Sequence, residues 1–214
     1  VARTEDLSDD NVFAQFAEWV DVDYLTDYLV FRSYIADSDL INQAYWRTQD
    51  YAIKWRPILF DTDYGLYGNM YQQEYKKDIL ARYFYENGVS SADGTKTNMD
   101  LYVGLKKNAA WRRKFVARYI ELMSTTLSPE NMLALLDEMD DVYLAEMPRQ
   151  IAAIAFPPSI SYTETWLEQL RTGIRERPAY ALQYLKENFP DEADYIDELV
   201  ASYGLTIAPV SESE

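Results

Sequence analysis

Two short runs carry most of the strand-forming character of this chain, and they lie side by side. Gln43-Ala44-Tyr45-Trp46-Arg47-Thr48 and Ile53-Lys54-Trp55-Arg56-Pro57-Ile58-Leu59-Phe60 are aromatic and β-branched, with Gln49-Asp50-Tyr51-Ala52 between them as a turn. Pro57 has no N–H to give a ladder, so the second strand belongs at an edge or is kinked there. Elsewhere the apolar residues recur at helical steps. Val12, Phe13, Phe16 and Trp19 predict a helix from Asp9 to about Val20, with Asp9 or Asp10 as N-cap. Tyr24, Leu25, Tyr28, Leu29, Arg32 and Ile35 predict a second from about Asp21 to Ala36. One β-hairpin flanked by helices makes the fold class α+β and predominantly helical.

Beyond the hairpin, Asp61 to Tyr75 reads as loop, and a helix from Lys76 to Tyr85 ends at Asn87-Gly88. Val89 to Thr97 is small and polar, hence loop. The stripe Trp111, Phe115, Tyr119, Leu122 predicts a buried helix, and Ser128-Pro129-Glu130 starts another. Ala155 to Ser159 breaks that run; a helix from Thr163 to Arg175 follows, Pro178 starts the next, and Pro190-Asp191 the last, ending at Gly204. The chain divides into an N-terminal helical segment (1–20), a region carrying helix, hairpin and candidate site (21–75), a helical region of the same lobe (76–205) and a frayed tail (206–214). It opens on Val1 with no basic, apolar leader, which reads as a piece of something longer.

Composition removes several kinds of chemistry. With 36 acidic and 20 basic side chains the net charge is −16, the wrong sign for neutralising nucleic-acid phosphates. No apolar run approaches the roughly 20 residues of a membrane span. The chain has no His and no Cys, so Ser–His catalysis, thiolates and most zinc sites are excluded. Catalysis would run on carboxylates, and a metal would be held by oxygen.

Three features meet at the hairpin: Asp37 at the end of a helix, Asn42 five residues on, and Asp61-Thr62-Asp63 directly after the second strand. Gathered at one end of a small sheet, these side chains suit Mg²⁺ or Mn²⁺, which prefer hard oxygen ligands. Turn capping is the alternative, because Asp-x-Asp commonly closes loops and this chain is rich in acids. The run Asp137, Glu138, Asp140, Asp141 reads as a solvated helix face, and Arg112-Arg113-Lys114 as a surface cluster.

Asp21-Val22-Asp23, Asp37 with Asn42, Tyr45-Trp46-Arg47, Lys54-Trp55, Leu59-Phe60-Asp61-Thr62-Asp63 and Gly65 resemble the C-terminal part of the CotH family, the spore-coat-protein-H-type atypical protein kinases. The resemblance continues through Asn108-Ala109-Ala110-Trp111-Arg112, Leu127-Ser128-Pro129-Glu130-Asn131, Glu146-Met147-Pro148-Arg149 and Arg175-Glu176-Arg177-Pro178. It implies a protein-kinase-like C-lobe that transfers phosphate from ATP, with Mg²⁺ or Mn²⁺, to Ser or Thr of a protein substrate at a cell surface or spore coat. It implies Asp37 as the catalytic-loop aspartate, at the Asp-x-x-x-x-Asn spacing to a metal-holding Asn42, with Asp61 and Asp63 as metal carboxylates. Asp39, three residues before Asn42, is a rival for the catalytic role. Ile35-Ala36 stands where a kinase has His-Arg, leaving the loop without that anchor.

The seven glycines form no phosphate loop and no lysine precedes Asp37, so a nucleotide-binding N-lobe is expected outside these residues, and the piece alone is expected to be inactive. A non-catalytic coat module is the alternative. Ile58 to Asp63 also resembles the first motif of haloacid-dehalogenase-type phosphatases, but that fold needs repeated strand–helix units.

Overall fold

The computed structural model describes residues 5–67, 73–86, 88–90, 96–97 and 99–210. Its first two helices start where capping acids place them. Helix α1 (Asp10–Trp19) is capped by Asp9, whose carboxylate accepts from the N–H groups of Asn11 and Val12. Helix α2 (Val22–Tyr34) is capped by Asp21, which accepts from Tyr24 N at 3.1 Å. Nearly every face of α2 is covered: Leu25, Tyr28, Leu29, Val30, Arg32, Ser33 and Tyr34 are all buried. Its end therefore enters the next loop from a fixed position in the core.

Strands β1 (Ala44–Trp46) and β2 (Arg56–Ile58) pair antiparallel, with Ala44 opposite Ile58 and Trp46 opposite Arg56. They are shorter than the two sequence runs. Residues between them close a turn instead, with Ile53 N donating to Thr48 Oγ1 at 2.9 Å. The Arg47 guanidinium stacks 3.7 Å from the Tyr51 ring centre, so part of the aromatic content serves that stack rather than a ladder. Pro57 lies opposite Tyr45. The contact to the start of α2 is made two residues before the proline, just ahead of β2: Trp55 N donates to Trp19 O at 2.8 Å, and Asp21 N to Trp55 O at 3.0 Å.

The predicted helix at Lys76–Tyr85 is a 3₁₀ turn (Glu74–Lys76) followed by α3 (Ile79–Tyr83), because Asp78 breaks the run and caps the second piece through Ala81 N. Asn87 lies outside the described residues; Gly88 takes φ 70°. Val89–Ser90 (β3) and Lys96–Thr97 (β4) pair antiparallel where loop was expected.

Helices α4 (Asp100–Lys107), α5 (Ala109–Ser124), α6 (Pro129–Ile154), α7 (Ile160–Asn188) and α8 (Ala193–Ser202) complete the described fold. Of the stripe predicted on α5, Trp111, Phe115 and Tyr119 are buried and Leu122 is half-buried, while Val116, Ile120 and Met123 beside it are buried too. Ser128 caps α6. Pro178 does not begin a helix; it sits inside the 29-residue α7. Arg177, Pro178, Ala181 and Leu185 are all buried there, and that packing outweighs the roughly 3 kcal/mol an interior proline costs. The architecture is α+β and mostly helical.

Two surface readings are corrected. Asp140 is 7% exposed and, with Asp137, receives Arg171 of α7, so half of the expected solvated acidic face holds α6 to α7. Arg112 and Lys114 pair with Glu192 and Asp23, and Arg113 stacks over Tyr195, so this cluster ties α5 to its neighbours.

Candidate metal and catalytic site

The loop after α2 is organised by Arg32. Its Nε donates to Asp37 Oδ2 at 2.7 Å and its Nη2 contacts the same carboxylate, both side chains being fully buried. Nη1 donates to Tyr28 Oη and to Asn42 O, each at 2.8 Å, and Nη2 donates to Asp39 O at 2.5 Å. One guanidinium thus holds three points of the segment 37–42. Asp37 Oδ1 accepts from Asp39 N at 3.1 Å, closing the turn. Burial pushes the Asp37 carboxyl above the usual range, with Arg32 pulling the other way.

Asp37 therefore faces inward, and Asp39 faces Asn42. Asn42 Nδ2 donates to Asp39 Oδ2 at 2.8 Å and to Asp61 Oδ2 at 2.5 Å. Asp61 is exposed and sits at φ 53°, a left-handed backbone that points its carboxylate back across the hairpin. Reduced hydration comes first in raising its pKa, followed by the neighbouring Asp63 carboxyl and then by Asp39. The structure thus joins Asp39 and Asp61 through Asn42, sets Asp63 beside Asp61, and leaves Asp37 behind them.

The second loop is fastened to the first through backbone. Leu66 N donates to Ile35 O at 2.5 Å, and Ser38 N reaches Tyr64 O at 3.5 Å. Ala36 and Leu66 share the positive φ of Asp61, at 55° and 54°, so strained backbone clusters at this junction. Gly65 fits because a Cβ there would stand 2.8 Å from Ile35 Cδ1.

Among the described residues, no three acids stand close enough to hold a metal ion by themselves. The group joining two of the acids is an amide, whose N–H bonds satisfy both carboxylates as a cation would. Asn42 turns its Nδ2 to these carboxylates; with its amide reversed, its Oδ1 and the carboxylates of Asp61 and Asp63 would offer oxygen donors of the kind Mg²⁺ or Mn²⁺ takes, rather than a zinc set.

Sequence reasoning overlooked Arg32 as the anchor. The signal was present: a lone charge in the stripe Tyr28, Leu29, Arg32, Ile35 must be paired to be buried. Arg32 supplies the fastening that Ile35-Ala36 lack.

No curated protein and no solved structure matches the chain. A family model described as CotH kinase protein matches residues 1–181, which takes in the site and everything from α1 into α7. The chain belongs to the CotH family.

Proposed function

We propose that these residues form the acidic half of a metal-dependent phosphotransferase, the C-terminal lobe of a CotH-type protein kinase acting on Ser or Thr of a protein substrate. The observation that carries the reading is the Asn42 amide, which draws together Asp39, after the core helix, and Asp61, after the hairpin. The order helix, loop with Asp and Asn, two antiparallel strands, then Asp is the order in which a kinase C-lobe delivers its acceptor-facing and metal-holding groups.

In this reading Asp39 takes the role that spacing alone would give Asp37: it orients the acceptor hydroxyl and receives its proton. Asp37 anchors the loop through Arg32. Asn42, Asp61 and Asp63 would hold Mg²⁺ or Mn²⁺, which would supply charge neutralisation for the phosphates of ATP. Reduced hydration and then the neighbouring Asp63 and Asp39 carboxyls raise Asp61, and a divalent cation would relieve the repulsion among them.

Phosphoryl transfer also needs cations on the phosphates, and near these acids Arg32 is buried and fully engaged. Ile58, Leu59, Phe60 and Tyr64, each 40–46% exposed, form an apolar rim beside the acids. Both features support a nucleotide-binding half contributed by polypeptide outside these 214 residues. A Mg-ATP isotherm on this chain tests that half of the reading: weak or absent binding is expected, and micromolar affinity contradicts it. Transfer of labelled phosphate to a Ser-rich substrate by the two-lobed enzyme, abolished in Asp39→Ala, tests the rest.

A second reading, a non-catalytic surface or coat module, is favoured by the lack of a three-acid cluster among the described residues. Silence towards Mn²⁺ would select it.

A further inference from the structure

Arg177 lies on α7, is 1% exposed, and faces no carboxylate partner among the described residues. Its guanidinium instead donates to four backbone carbonyls. Nε reaches Tyr34 O at 2.5 Å and Nη2 reaches Ser33 O at 2.8 Å, both at the last turn of α2. Nη1 reaches Tyr75 O at 2.5 Å and Lys77 O at 3.2 Å, in the segment that receives the chain from the Asp61 loop.

The two pairs of carbonyls belong to the two pieces of chain that carry the site. Ser33 and Tyr34 are three to six residues before Asp37 and Asp39. Tyr75 N donates to Leu66 O at 2.9 Å, and Leu66 N donates to Ile35 O, so the segment held by Arg177 is itself bonded to the loop of Asp61 and Asp63. Carbonyls at a helix C-terminus carry the negative end of its dipole and have no partner within the helix, so a buried cation suits them. A planar fork that bonds two separate segments fixes their distance, which a single ammonium cannot do.

We infer that Arg177 is a positioning residue for the candidate site, setting the spacing between the Asp39–Asn42 loop and the Asp61–Asp63 loop from behind. The inference rests on the metal-site reading for its consequence, though the clamp can be read without metal. It assigns α7 a part in a site that none of its residues touches. A residue supporting metal ligands in this way typically changes affinity by about 10–100-fold.

The experiment compares the wild-type chain, Arg177→Lys, and Ile196→Val as a stability control in α8, using amide hydrogen exchange without metal and Mn²⁺ titration calorimetry. Arg177→Lys is expected to speed exchange in both 37–42 and 61–67 and to weaken Mn²⁺ at least about tenfold, while the control changes neither at matched stability. Exchange that rises only beside residue 177, with both loops unchanged, overturns the inference. If the wild type binds no Mn²⁺, the metal reading falls and the exchange pattern still decides the clamp. If Arg177→Lys does not fold, native-state exchange of the wild type in low urea decides: residues 37–42 and 61–67 are expected to open together with the stretch around Arg177, and loops that open independently of it overturn the inference.

Discussion

The Asn42 side-chain amide donates to the Asp61 carboxylate at 2.5 Å across nineteen residues of chain. The hairpin between them makes the contact, because its antiparallel register returns the chain to the end of the sheet it left. The same amide holds Asp39, so one neutral side chain stands between two acids.

Asp37 and Asp39 separate cleanly by what their loss does. Asp37→Ala leaves a buried, unpaired Arg32, and unfolding in urea should show a loss of about 3–5 kcal/mol. Asp39→Ala removes a half-exposed acid and should cost under about 1 kcal/mol, with phosphate transfer by the two-lobed enzyme lost. Equal stability of the two variants would refute the division of roles.

Gly65 and Ile35 form a tight contact that a second substitution can relieve. Gly65→Ala places a Cβ 2.8 Å from Ile35 Cδ1 and should cost about 1–3 kcal/mol. Ile35→Val deletes that methyl, so the double variant should be more stable than the two single losses added together. Simple additivity in thermal melts would show that the two sites are not in contact.

The junction of α2 with β2 gives a pH dependence. Partial burial of Asp21 acts upward on its pKa, but the Tyr24 N–H bond and the Arg56 guanidinium outweigh it, so the net shift is downward. An acid lowered in the folded chain contributes fully above its unfolded value. That contribution is lost as pH falls through the lower, folded value. Asp21→Asn keeps the cap and deletes the charge, so it should cost about 0.5–1 kcal/mol at neutral pH, a modest figure because Arg56 is 35% exposed. The gap should close between about pH 5 and 3. A gap of constant size would mean that the ion pair contributes nothing.

Much of the frame was legible because its signals are local. Asp9, one of the two acids expected to cap α1, and Ser128, expected to cap α6, do so, and Tyr45-Trp46 and Arg56-Pro57-Ile58 pair as one hairpin. What was not legible depends on contacts distant in sequence. Pro178 breaks a helix by its own chemistry, yet α7 continues through it because both sides are packed. Asp140 looks like any surface acid until Arg171 arrives from another helix. The site shows both cases: the nearness of Asp61 to Asn42 follows from the hairpin, whereas the inward turn of Asp37 follows from Arg32, whose burial is set by the packing of α2.

Mn²⁺ titration calorimetry on the wild type, Asp61→Asn and Asp39→Asn tests the central claim most directly. Asn tolerates the left-handed backbone of residue 61, so Asp61→Asn removes the charge without adding strain. Saturable heat in the wild type, reduced at least about tenfold in affinity in Asp61→Asn and less than that in Asp39→Asn, is the predicted result. A silent wild type, or an Asp61→Asn isotherm that overlays it, would contradict the account.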